Sequence, residues 1–106
     1  MSNKRIPKIY IGELGTQTGE TVVKIGMTIG DPIARLTKYA AIHGYKFSRE
    51  TARVAIFTVT PAVLRGVEFA LHNTFKAARI GTQEVFRISF GTAVKAAKKI
   101  TGRDPD

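Results

Sequence analysis

The chain contains no cysteine, which excludes disulfides, cysteine-containing zinc sites and thiol chemistry. Nothing in it argues for an oxidising compartment. No apolar run approaches membrane-spanning length, and no long basic amphipathic helix stands alone. The segment Met1-Ser2-Asn3-Lys4-Arg5 lacks the apolar core of a signal peptide. A soluble, cytoplasmic protein without a membrane partner is expected. Acidic residues are scarce, eight against 17 lysines and arginines, which disfavours a carboxylate-rich two-metal cage. A Ser/His/Asp triad would have to be drawn from three serines, two histidines and three aspartates, with no elbow motif. A phosphate-cradling Gly-x-x-x-x-Gly-Lys-Ser/Thr is missing, and Gly26-Met27-Thr28-Ile29-Gly30 is too sparse for a nucleotide loop. No single-stranded RNA-binding aromatic motif appears.

What is present is a small, basic, patterned chain. Its 106 residues fit one compact domain able to bury a core without staples. A net charge of +9 points to a polyanionic partner, nucleic acid before membrane. Charge that serves only solubility is the ordinary alternative.

Ile6 to Leu14 and Val22 to Thr28 read as strands joined by the turn Gly15 to Gly19, an antiparallel hairpin. Gly30-Asp31-Pro32 opens a helix, with Asp31 as N-cap and Pro32 at the first helical position, ending near Ile42. Ala52 to Thr60 is rich in β-branched residues and predicts a third strand. Thr60-Pro61 repeats the cap-then-proline signal for a second helix reaching Arg79. Gln83 to Ile88 fits a short extended stretch, and Phe90 to Ile100 a third helix. Residues 1–5 and 101–106 are expected to be flexible. The order β-β-α-β-α-(β)-α implies an α+β fold, a small antiparallel sheet flanked by helices.

Strand alternation puts Ile9 and Ile11 on one face and Lys8, Tyr10 and Gly12 on the other. Pairing Tyr10 opposite Lys24 would send both apolar sets to one side and make Tyr10 and Lys24 cross-strand neighbours. Gly12 and Gly26 would then leave room for something bulky beside them. A packing pair on a solvated face is the plain alternative. On the second helix, Glu68 falls about 40° from Leu64 and about 20° from Phe75 at 100° per residue. That places a carboxylate at the border of the buried stripe, where it needs a partner, either a cation such as Mg²⁺ or an arginine. His72 lies one turn from Glu68; neither it nor His43 shows metal-ligand spacing. Arg35 projects beside the first helix's apolar edge, where a guanidinium fork could grip phosphate; an ordinary surface arginine is the plain alternative.

Lys8-Ile9-Tyr10, Lys24-Ile25-Gly26-Met27-Thr28, Arg35-Leu36, Val67 to Phe75 and Glu84-Val85-Phe86, in that order, resemble the GIY-YIG nuclease superfamily, in its phage-type branch with Lys-Ile-Gly as second motif. The resemblance covers about residues 6 to 100 and implies a three-stranded antiparallel sheet flanked by helices. Two positions depart from the common pattern. Lys8 stands where the family often has glycine, and Lys24 replaces the second-motif tyrosine. The literal Tyr10-Ile11-Gly12 lies in the first strand.

The resemblance implies a metal-dependent endonuclease that hydrolyses DNA phosphodiesters. Glu68 would bind one Mg²⁺ or Mn²⁺. Tyr10 would orient or deprotonate the attacking water with help from Lys24. Arg35 would offset phosphoryl charge, and His72 would assist from outside the ligand set. Backbone contacts would come from Lys8, Lys38, Lys46, Arg53, Arg79, Arg87 and Lys95. Specificity would need a homodimer, a partner protein or a special DNA structure. A non-catalytic nucleic-acid-binding module and a protein-interaction factor are the competing functions.

Overall fold

The computed structural model describes residues 6–106; the expected flexibility of residues 1–5 lies outside them. The fold is a small α+β arrangement, an open antiparallel four-stranded sheet flanked by three helices. The elements are β1 (Lys8–Gly15), β2 (Thr21–Thr28), α1 (Pro32–His43), β3 (Val54–Thr58), α2 (Leu64–Thr74), β4 (Val85–Phe86) and α3 (Phe90–Thr101), with a 3₁₀ turn at Lys76–Ala78. The strand order is β3-β1-β2-β4. The extended stretch at Gln83 to Ile88 condenses into β4, which adds a fourth strand to the expected three by pairing with β2.

The hairpin forms, but two residues away from the expected register. Tyr10 lies opposite Gly26, and Gly12 opposite Lys24. A shift of two keeps every side chain on its expected face, so Tyr10 and Lys24 become diagonal neighbours. Their face is not solvated. Tyr10, Leu14, Val22, Leu36, Ala40 and Val85 form a second core beneath α1. On the opposite face Ile9, Ile11, Val23, Ile25 and Phe57 pack against Val67 and Leu71 of α2 and Ala93 and Ala97 of α3.

The space expected at Gly12 and Gly26 is already taken. A Cβ at Gly12 would lie 2.6 Å from both Leu36 methyls, so α1 sits directly on the strand there. A Cβ at Gly26 would lie 2.6 Å from the Tyr10 hydroxyl and 2.8 Å from the Lys24 ammonium.

Two helices are capped as their sequences demand. Asp31 Oδ1 accepts from the Ile33 amide at 2.9 Å, and Gly44 closes α1 at φ 76°. Such a cap is worth about 1 kcal/mol. Ser89 accepts from the Thr92 amide at 3.1 Å to open α3. By contrast, Thr60-Pro61 does not cap α2. Val63 N–H bonds to Thr60 O and Leu64 N–H to Pro61 O, which makes a turn, and α2 begins at Leu64 with no side-chain cap. It also ends well short of Arg79. Thr74 bonds back to Ala70 O at 2.7 Å, a pattern that weakens helices, and the chain tightens into the 3₁₀ turn. The segment after α3 folds back onto the sheet and helix. Asp106 N–H bonds to Ile56 O on β3 at 2.6 Å, and Lys98 pairs with Asp104 at 3.2 Å. An unpaired strand edge offers carbonyls for this docking.

Gly12→Ala should cost about 1–3 kcal/mol of stability, because fully buried Leu36 has nowhere to retreat. Chemical denaturation checks this; an unchanged midpoint would contradict the packing described.

Candidate metal and phosphate site

The site assembles where β2, β4 and two helices meet. Lys24 lies mid-strand on the α1 face and is 3% exposed. Its ammonium lies 4.7 Å from the Tyr39 ring centroid and 5.2 Å from that of Tyr10. A buried charge demands a counter-charge, and Glu84 supplies it. The Lys24 Nζ donates to Glu84 Oε1 at 2.8 Å. Glu84 stands in the bend just before β4, its backbone pinned by the Ile25 N–H to Glu84 O bond of 3.0 Å.

The same carboxylate joins a second group. Glu68, His72 and Glu84 each offer a ligand atom, all within 4.8 Å of one another. Glu68 and His72 are one turn apart on α2 and so share a face. The His72 Nε2 lies 2.9 Å from Ile25 O. A carbonyl only accepts, so Nε2 carries the proton in this contact. Backbone support of that kind is what orients metal-ligating histidines.

The donor set fits a divalent ion. Ligands on opposite sides of Mg²⁺ lie about 4.2 Å apart, so the cluster needs only small side-chain adjustment. Two carboxylates suit Mg²⁺ or Mn²⁺, and an imidazole tilts the preference toward Mn²⁺. Burial raises the Glu68 carboxyl above its ordinary 4.5. The Glu84 carboxylate adds to the rise, while His72, Lys24 and Arg65 oppose it. Crowded, half-buried acids of this kind are relieved by a cation.

Two cavities lie at the site, and Glu84 lines one of them. One, about 400 Å³, is lined by Tyr10, Lys24, Arg35, Lys38, Tyr39, Ile42 and Glu84. The Tyr10 hydroxyl is fully buried with no hydrogen-bond partner. Tyr39 and Tyr45 both donate to Gln83 Oε1, at 3.1 and 2.9 Å, which ties α1 to the residue before Glu84. Burial, then Tyr45 and Glu84, push the Tyr39 phenol up to about 12. It therefore stays a donor at any ordinary pH. The other cavity, about 410 Å³, is lined by Arg65, Glu68, Phe69, His72, Asn73, Lys76 and Arg79.

A family model described as the T5orf172 domain matches residues 8–101. The chain belongs to the T5orf172 domain family. No curated protein and no solved structure matches it.

In this T5orf172 domain, Tyr10, Lys24 and Arg35 line one cavity. Glu68 and His72 line the other, and Glu84 bridges the two. Glu84 went unrecognised as a site residue because the sequence does not show that the bend before β4 turns it toward both groups. His72 joins the candidate cluster, although no spacing motif marks it. Its partner Glu84 lies well beyond the end of α2 and meets it only through the sheet.

The expected backbone contacts divide. Lys38 lines the Tyr10 cavity and Arg79 the Glu68 cavity. Arg79 also donates to Gln83 O at 2.6 Å and Thr82 O at 3.1 Å, steadying the approach to Glu84. The others lie outside both cavities. Arg53 is paired with Glu13 at 2.9 Å and Arg87 with Glu20 at 3.2 Å, so their charge is largely answered within the fold. Lys8 turns back onto Ile6 O at 3.1 Å. Lys46 bridges the end of β1 and Lys95 stands exposed on α3, and neither lines the two cavities.

A carboxyl raised above its unfolded value holds its proton more tightly in the folded state, so ionising Glu68 weakens the fold. The stability this proton lends is fully present below the ordinary value of 4.5 and lost as pH rises through the raised one. Glu68→Gln should therefore melt higher than the wild type at neutral pH in a chelator. The gap should close as pH falls below 4.5. Thermal melts across that range check it; a lower melting point for the variant at neutral pH would refute the crowding argument.

Proposed function

We propose that this T5orf172 domain is a divalent-metal-dependent endonuclease that hydrolyses DNA phosphodiester bonds. The observation that carries the reading is the Glu68–His72–Glu84 cluster, joined through Lys24 to the cavity that Tyr10 and Arg35 line. The relation of the T5orf172 family to GIY-YIG nuclease domains supports it, and so does a net charge of +9. Among the described residues no helix is long and apolar enough to cross a membrane.

Glu68, Glu84 and a His72 ring nitrogen would hold one Mg²⁺ or Mn²⁺. Bound there, the ion would supply charge to the phosphoryl and leaving oxygens. The remaining work falls to side chains. Tyr10 has an unpartnered buried hydroxyl, a state that native proteins rarely leave unanswered. It orients the attacking water from the cavity floor. Arg35 reaches the cavity from α1 and grips the non-bridging oxygens with its planar fork. Lys38 adds charge one turn along. Lys24 keeps Glu84 aligned and lowers the negative potential that an incoming phosphate would meet.

One observation favours a second reading, a non-catalytic nucleic-acid-binding module. Tyr10 is 0% exposed and the Lys24 ammonium is already occupied by Glu84. Cleavage then requires the site to open for its substrate, whereas binding does not.

Incubating the purified protein with DNA in Mg²⁺ or Mn²⁺ decides between them. The nuclease reading expects cutting that a chelator stops. It expects Glu68→Ala and Arg35→Ala to lose about 10²-fold or more in rate while melting cooperatively. Salt-sensitive binding with no cutting in any metal would leave only the binding module.

A further inference from the structure

Phe69 has no structural task in the fold. It is 73% exposed, more than any other large apolar side chain among the described residues. It follows Glu68 directly, and its cavity is the one that Glu68 and His72 line. Arg65, Phe69 and Asn73 recur at four-residue spacing, which stacks them along one face of α2. Lys76 and Arg79 complete the wall. An aromatic ring is thus framed by three cations and an amide beside a candidate metal cluster.

That frame selects among occupants. A second copy would bring the same three cations onto the face, and each chain already carries +9. Like charges brought together in this way oppose pairing. A polyanion that also offers flat π faces meets both parts of the surface. In an intact duplex the base faces are covered by their neighbours, so Phe69 can engage only a base that has left the stack.

We infer that α2 recognises an unstacked nucleotide of the substrate. Phe69 stacks on its base, and Arg65 and Lys76 hold the flanking phosphates. This rests on the nucleic-acid part of the reading above, and it narrows the substrate to single strands or to duplexes with a flap, bulge or mismatch. The stacked base would sit one residue from Glu68, which places the scissile phosphate next to an unpaired position.

The test is a binding measurement in chelator, so the presence or absence of cutting does not enter it. A short labelled oligodeoxynucleotide is offered as a single strand, as a perfect duplex and as a duplex with a bulged nucleotide. Phe69→Ala should weaken single-strand and bulge binding by about five- to hundred-fold, the range expected for loss of one base–aromatic stack. Perfect-duplex binding should change less than about twofold. Phe69→Trp introduces an indole into a chain that has no tryptophan of its own. Its fluorescence should be quenched saturably by the single strand and not by the duplex. Equal losses on all three ligands, or an indole signal left unquenched at saturation, would overturn the inference. So would a concentration-dependent dimer that Phe69→Ala abolishes, since the face would then belong to a second copy. Failure of metal-dependent cutting with stacking intact would reject the nuclease reading alone.

Discussion

One contact organises this site, the ion pair between Lys24 and Glu84. A charge on a lysine 3% exposed in the middle of a strand is costly without a partner. Its partner sits at the sheet edge, with a side chain 43% exposed, and belongs equally to the α2 cluster. The pair therefore does two jobs. It neutralises a charge beneath α1, and it fixes a carboxylate beside Glu68 and His72. Pairs of this kind add little net stability, because desolvation offsets most of the attraction. Their value here is positional: the phenol and guanidinium on one side of the sheet edge are tied to the acid and imidazole on the other.

The surrounding structure is arranged to keep that contact in place. Gly26 has no side chain because the Tyr10 hydroxyl and Lys24 ammonium fill the volume one would need. Gln83 is held by two phenols of the α1 region and by the Arg79 guanidinium on its carbonyl. Glu84 thus follows a residue gripped from both sides. The cost appears in the site itself. The Glu68 carboxyl is raised by burial and by its acidic neighbour, and the Tyr10 hydroxyl has no partner. Local sacrifices of stability of this kind collect where a protein binds or reacts.

Much of the fold was legible because local rules agreed. Asp31-Pro32 and Gly44 bracket α1, and alternation assigned Ile9, Tyr10 and Lys24 to their faces. The misreadings are non-local. Nothing in either strand distinguishes Tyr10 opposite Lys24 from Tyr10 opposite Gly26, since both registers satisfy alternation. In the observed register Leu36 closes on Gly12 and the Tyr10 hydroxyl on Gly26. Thr60-Pro61 looks like a helix start, yet the turn bonds there win. At the candidate site, the half-buried position of Glu68 was visible on the helical wheel. Glu84 was not, because its role depends on a two-residue strand placed by pairing with β2. The basic residues were the least legible. Composition shows an excess of positive charge but not that Glu13 and Glu20 answer Arg53 and Arg87.

The most direct measurement is a Mn²⁺ titration followed by paramagnetic broadening of backbone amide resonances. The account expects one saturable site, with broadening centred on residues 24–26, 68–72 and 83–86 and reaching both sides of the sheet edge. Broadening confined to the acidic positions Asp104 and Asp106, or spread over the surface without saturation, would contradict it.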